Sequence, residues 1–362
     1  MKLTDYSMFL PDYSVGPKVY DKIPDLCVPY GTKVLFIGGR KALAAAQPKI
    51  LAAIADAPFE VLGTLIYGED CTYSTVETLR ANTLYQQADL VFAVGGGKAL
   101  DTAKCLCIDD SRPIFTFPTI ASNCSACTAV SIMYHDDGTF FKPHFFPRPA
   151  NHAFIDTEII AKAPTQYMWA GIGDTYAKFY ESTISSRGED LQHFTALGVA
   201  VSRMCLDPLV TYGPQGYADH CAGLTTDAVE QVILAIIVST GLASNFLTRD
   251  FTPDYNSGLA HAIFYALTAY PVTEAEHLHG EVVGFGVLFA LLVDGQEDEF
   301  RKIYALNKAI GLPTKLSHIG ITPEQFEETI QRIPTMSDVR HYPYQVTPDM
   351  LRAAWMRIES EP

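Results

Sequence analysis

Asp89-Leu90-Val91-Phe92-Ala93-Val94-Gly95-Gly96-Gly97-Lys98-Ala99-Leu100-Asp101-Thr102-Ala103-Lys104 reads as a buried strand that runs straight into three glycines and then into a helix. Glycines at that turn let the backbone bend sharply and approach a ligand with no side chain in the way. The helix that follows aims its unbonded N–H groups and the positive end of its dipole at the same spot. A diphosphate is the natural occupant. A tight turn with no ligand is the plainer reading, but three consecutive glycines followed by Lys98 weigh against it. The stretch is neither Gly-x-Gly-x-x-Gly nor a Walker loop, because Ala99 follows the lysine. That argues against a P-loop kinase or ATPase.

Outward from this turn, the first 160 or so residues alternate strand and helix. Lys33–Ile37, Val61–Ile66 and Pro113–Phe117 read as further strands. A helical segment follows from Arg40, with Pro48 expected to break or kink it, and another spans Thr75–Leu84. This repetition predicts a mostly parallel sheet with right-handed crossovers. Near Pro164 the character changes, and five apolar helical patterns follow: 194–205, 226–239, 261–268, 282–293 and 299–306. Thr322-Pro323-Glu324-Gln325 and Thr347-Pro348 are helix starts, and Gly311-Leu312-Pro313 is a stop. The expected architecture is an α/β, Rossmann-like dinucleotide-binding domain over 1–163. An all-α domain over 164–362 carries the catalytic groups, with a cleft between the two.

The chain has 362 residues, 48% apolar and 19% charged, enough for two cores. Its 26 basic and 41 acidic residues give a net charge of −15, which disfavours nucleic acid and anionic membrane surfaces as partners. The longest apolar run, Val232–Val238, is followed by Ser239, Thr240 and Gly241, so no membrane span is expected. The first residues lack a signal's apolar core, which points to the cytoplasm. Eight dispersed cysteines are too sparse for a disulfide scaffold. Cys124-x-x-Cys127 sits in a Ser/Thr-rich loop with no second such pair, which favours a structural or pocket-lining role over zinc or redox chemistry.

Three residues in the helical half are able to bind a metal. Asp174 lies in Gly171-Ile172-Gly173-Asp174-Thr175-Tyr176-Ala177-Lys178 at an expected helix start, where an Asp alone would be a cap and Lys178 its partner. His261 lies in an apolar helical context, and a lone histidine there is more often a core residue. His279, in His277-Leu278-His279-Gly280-Glu281, precedes the apolar helix at Val282; the alternative is a solvated turn. One carboxylate and two imidazoles suit an open zinc or iron(II) site.

Taken together, Gly95–Lys104, Pro118-Thr119-Ile120-Ala121-Ser122, Gly171–Asp174, Ala260-His261-Ala262-Ile263 and His279-Gly280-Glu281 resemble the iron-containing alcohol dehydrogenase superfamily, in its glycerol dehydrogenase-like branch. Its fold is shared with the dehydroquinate synthase-like proteins. His341-Tyr342 and Leu351-Arg352-Ala353-Ala354 are similar to its hydroxycarboxylate dehydrogenase-like members, which reduce small 2-oxo acids. The resemblance implies NAD or NADP, one divalent metal (zinc or iron), a small-molecule substrate and a homo-oligomer. It places the metal and the catalytic role on Asp174, His261 and His279, whose spacing suits this branch. A fourth ligand of the long-chain branch falls on Lys178, which leaves three. The dinucleotide falls on Gly39, Gly95, Gly96, Gly97, Lys98 and Asp101, with Thr119, Ser122, Thr128, Val130 and Tyr134 at the nicotinamide half.

Two departures bear on the substrate and cofactor. Cys124 stands where glycerol dehydrogenases carry an Asp that meets a polyol hydroxyl, so a 2-oxo acid is favoured over glycerol. Phe264, followed by Tyr265, makes the pocket more apolar. At the end of the first strand, Gly38-Gly39-Arg40-Lys41 has no acid to exclude a 2′-phosphate, which leans toward NADP. A lyase of the dehydroquinate synthase type is a more distant alternative. It would carry a Glu in place of Asp174 and more basic residues for a phosphorylated substrate. A module that binds cofactor without chemistry is opposed by the intact Asp/His/His set.

Overall fold

Six runs of Val, Ile, Leu and Phe pair into one sheet in the computed structural model, which describes residues 5–361. They are β1 (Tyr13–Val15), β2 (Lys33–Gly38), β3 (Glu60–Ile66), β4 (Leu90–Gly95), β5 (Ile114–Pro118) and β8 (His152–Ile155), in the order β1-β8-β5-β4-β2-β3. Every pairing is parallel. β2, β4 and β5 are interior strands and read as nearly unbroken apolar runs because both their faces are covered. Phe36, Phe92, Phe115, Phe117 and Phe154 fill the core between them, with ring centroids 4.9–5.5 Å apart for Phe92–Phe117 and Phe36–Phe92.

The order fixes where a ligand fits. From β2 the chain crosses to β3 on one side and returns to β4 on the other, so the carboxyl ends of β2 and β4 stand side by side. Outside such a reversal the crossover connections diverge and leave a crevice. Gly38 pairs with Val94 there, and a Cβ on Gly38 would stand 2.3 Å from the Val94 carbonyl oxygen.

Several local expectations are revised. The Arg40–Ala53 helix runs through Pro48. Pro48 and Ala44, one turn earlier, both face solvent, so the carbonyl that loses its N–H partner is hydrated. The helix expected over 75–84 is two, Tyr73–Arg80 and Thr83–Gln87, with the Asn82 side chain capping the second at Leu84 N (2.9 Å). The antiparallel pair β6 (Val130–Tyr134) and β7 (Phe140–Phe145), and the short strands β1 and β8, were not anticipated.

The chain divides into two compact units, one over 1–164 with 223–225 and one over 165–222 and 226–362. The second is helical. Its Thr165–Ser185 helix packs on the His279–Val293 helix, which also packs on the Leu259–Leu267 helix. Asp174 is therefore not a helix cap: it lies in the third turn of a 21-residue helix. Gly173 before it serves a close helix crossing, since a Cβ there would stand 2.2 Å from the Gly280 carbonyl oxygen. Two helical stretches, His193–Cys221 and Asp227–Leu247, are long and apolar enough to cross a membrane by length and composition. The second passes Ser239–Gly241 without a break and is 72% buried in its most apolar window, as a core helix is.

Candidate functional site

In the first unit the glycine turn is shaped by what crowds it. The helix after β4 spans Gly97–Asp109, and its N-cap, Gly96, supplies no side-chain hydrogen bond. Its leading N–H groups therefore point outward uncapped, as an anion site requires. A Cβ on Gly96 would meet Ile120 at 2.5 Å, and one on Gly97 would meet Asn123 at 2.4 Å. Gly95 has φ +156, and its carbonyl accepts from Thr119 N at 3.1 Å. Gly39, the N-cap of the Arg40–Ala53 helix, follows the neighbouring strand end, with Arg40 and Lys41 exposed beside it. The structure thus gathers Gly39, Gly95, Gly96, Gly97 and Thr119 at adjacent strand ends.

The remaining first-unit residues fall into two sets. Lys98 is half-exposed, forms an ion pair with Asp70 and lies 5.1 Å from the Tyr134 ring centroid. Ser122 and Cys124 are half-buried in the loop after β5. Asp101, Thr128 and Val130 are committed to the protein itself. Lys104, fully buried, donates to Thr128 O (3.2 Å), Thr128 Oγ1 (3.1 Å) and Val130 O (2.6 Å), and lies 3.0 Å from Asp101 Oδ1. Asp101 also accepts from Ser125 Oγ (2.5 Å) and from Ile132 N (3.1 Å). These residues pin the loop and β6 to the helix behind the glycine turn. Sequence reading missed Lys104 and Ser125, although Lys104 closes the quoted motif.

In the second unit, three helices bring Asp174, His261 and His279 together, with donor atoms all within 4.8 Å of one another. Asp174 Oδ1 lies 3.5 Å from His261 Nε2 and 3.6 Å from His279 Nε2. Those separations are long for hydrogen bonds but match ligands bonded at about 2.0–2.2 Å to a shared tetrahedral ion. The donor set and its spacing fit zinc or iron(II). His279 opens its helix and reaches the site because Gly280, next to it, lets the Asp174 helix approach; a Cβ there would stand 2.1 Å from Ala170 O. Phe264, one turn after His261, sets its ring edge-on to His279 with centroids 4.4 Å apart.

Glu181, missed in the sequence, holds His261 from behind. It is fully buried, and its Oε1 accepts the N–H groups of Gly258 and His261, both at 2.9 Å. Its Oε2 lies 2.7 Å from His261 Nδ1. A carboxylate there only accepts, so Nδ1 carries the proton and Nε2 is left to face Asp174. Glu181 lies two turns after Asp174 on the same helix face, and that spacing was the available signal.

Electrostatics follow from this enclosure. Burial opposes the Asp174 charge, but the two imidazoles outweigh it and hold the carboxyl well below its usual range. Burial likewise opposes a charged His261, yet Glu181 and Asp174 push its pKa up to about 10. Lys178 does not pair with Asp174; its Nζ donates to Asn256 O. His277 is held by Glu281 at 2.8 Å, and Glu281 also accepts from Leu278 N.

A second cluster, Cys105, Asp109 and His144, lies in the first unit. Burial pushes the Cys105 thiol up to about 12, and His144 is engaged by Tyr73 (2.9 Å) and Asp109 (3.3 Å). Cys105 is buried, His144 half-buried and Asp109 exposed.

Known proteins carry the same plan. A profile of the iron-containing alcohol dehydrogenase family matches residues 11–156. The hydroxycarboxylate dehydrogenase A of Escherichia coli is 32% identical over 336 residues, covering 91% of this chain and 90% of its own. An Escherichia coli glycerol dehydrogenase is 30% identical, covering 94% and 93%. The solved structure of a probable glycerol dehydrogenase from Sinorhizobium meliloti superposes with a TM-score of 0.81 at 27% identity, over 98% of each chain. With a dinucleotide-type sheet reversal in one unit and an Asp/His/His cluster in the other, the chain belongs to the iron-containing alcohol dehydrogenase family, metal-dependent oxidoreductases that use NAD or NADP.

Proposed function

We propose that this protein interconverts a small 2-oxo acid and its 2-hydroxy acid. Hydride and a proton add to the ketone carbon and oxygen in one direction and leave in the other. The observation that carries this reading is the convergence of Asp174, His261 and His279. A divalent ion held by those three supplies Lewis acidity toward the carbonyl oxygen, and a nicotinamide supplies or takes the hydride. The chain's own residues set the geometry. Glu181 fixes the His261 tautomer, Phe264 braces the His279 ring, and the uncapped helix at Gly97 faces the cofactor's diphosphate. The similarity to a hydroxycarboxylate dehydrogenase and Cys124 in place of an acid support the oxo acid over glycerol. Exposed Arg40 and Lys41, with no acid at the end of β2, support NADP over NAD. A homo-oligomer is part of the same reading.

The test follows NADPH or NADH oxidation with 2-oxobutanoate, 2-oxoglutarate, glyceraldehyde and dihydroxyacetone, before and after chelation, with metal analysis. Chelation is expected to abolish turnover, zinc or iron(II) to restore it, and Asp174→Ala to remain inactive after metal addition. Full activity after complete metal removal overturns the reading, as does a preference for the polyol-type carbonyls.

A further inference from the structure

Asp174, Lys178 and Glu181 fall at intervals of four and three on the Thr165–Ser185 helix and so share one face. The two carboxylates of this stripe flank His261, one toward Nε2 and one at Nδ1. Lys178 stands between them and is only 6% exposed. Its one hydrogen-bond partner among the described residues is the backbone carbonyl of Asn256, and no acidic group there lies within 4.0 Å of its ammonium. Two residues after Asn256, Gly258 donates to Glu181 and the His261 helix begins.

The same chain shows how a buried structural lysine is satisfied. Lys104 has a carboxylate at 3.0 Å and three further oxygens. Lys178 has one neutral oxygen and two unspent N–H donors. An ammonium removed from water on those terms is costly unless an anion completes it. A polyol brings no such charge, whereas a 2-oxo or 2-hydroxy acid brings one carboxylate next to its reacting carbon.

We infer that Lys178, oriented by the Asn256 backbone carbonyl, forms an anion subsite beside Asp174, His261 and His279 that takes the substrate's carboxylate. This rests on the oxo-acid reading above and assigns its specificity to one residue. Charge-assisted hydrogen bonds of this kind discriminate strongly between a carboxylate and a neutral group.

The test compares wild type with Lys178→Gln, Lys178→Arg and Asn256→Asp, the last supplying the lysine with a resident carboxylate. Two quantities are read in zinc-loaded protein: the kcat/KM ratio of 2-oxobutanoate to dihydroxyacetone, and the calorimetric Kd for oxamate, an unreactive oxo-acid mimic. Lys178→Gln and Asn256→Asp are expected to lower the ratio and weaken oxamate by about 10- to 100-fold, with Lys178→Arg retaining most of both. Unchanged ratio and oxamate affinity in Lys178→Gln, with the wild type active on 2-oxobutanoate, overturn the subsite and leave the oxo-acid reading standing. A wild type that reduces only dihydroxyacetone overturns that reading itself. If Lys178→Gln does not fold, Asn256→Asp and Lys178→Arg decide the question.

Discussion

At the scale of single residues, the candidate site depends on one proton. Glu181 keeps it on His261 Nδ1, and only the other nitrogen then faces Asp174. Glu181→Gln offers an amide that can sit either way and no longer fixes the tautomer. Partners of this kind are worth about 10- to 100-fold in metal affinity. The variant is expected to lose zinc affinity by that factor, measured by competition with a chromophoric chelator, while the zinc-loaded fraction still binds NADPH. Asp174, His261 and His279 were legible because each sits in a short, distinctive motif. Glu181 was not, because a glutamate inside a helix reads as a solvated face until burial and a partner are seen. Lys178 was read as a helix-face partner of Asp174 for the same reason, and the structure gives it a backbone carbonyl instead.

Among elements, the crossing of the Asp174 and His279 helices sets the distance between two side chains of the candidate metal site. Gly173, Gly280 and Gly284 line it, and Gly284 Cβ would stand 3.0 Å from Gly173 Cα. Gly280→Ala places a methyl 2.1 Å from Ala170 O and 3.0 Å from Asp174 Cβ, so the helices must part. Overpacking of this kind costs about 1–3 kcal/mol. Gly280→Ala is expected to melt several degrees lower and to bind zinc more weakly, whereas Gly295→Ala, in open space at φ +72, lowers stability without touching zinc affinity. The long apolar strands and helices could be read from periodicity. The packing role of Gly173 could not, because small residues before an Asp also describe a helix start, and only the facing helix distinguishes the two. The β6–β7 pair escaped for another reason: β7 is mostly polar and aromatic, with Pro143 inside it.

For the whole molecule, the parallel sheet and the helical second unit followed from the strand–helix alternation and its end near Pro164. The edge strand β1 and its neighbour β8 are three and four residues long and too short for a pattern to declare itself. They carry a pH dependence of global stability. His152 on β8 is buried against Phe154 and lies 3.0 Å from Ser14 Oγ on β1. Burial disfavours its charged form and lowers its pKa below the ordinary 6.5, with Asp12 opposing and Lys22 assisting. The unfolded chain therefore binds this proton more readily. The stability gained from neutral His152 is complete above the unfolded value and is lost as pH falls through the folded one. In His152→Gln the drop in melting temperature between pH 7 and pH 5 is expected to be smaller than in wild type, measured by calorimetry at both pH values.

The knot around Lys104 has a mutational consequence. One ammonium is shared by a carboxylate, a hydroxyl and two main-chain carbonyls, and that carboxylate also secures a serine and a strand N–H. Loss of the lysine would strand an acid in the interior, and loss of the acid would strand a base. A single substitution at 101 or 104 is therefore expected to cost more stability than a matched replacement of both.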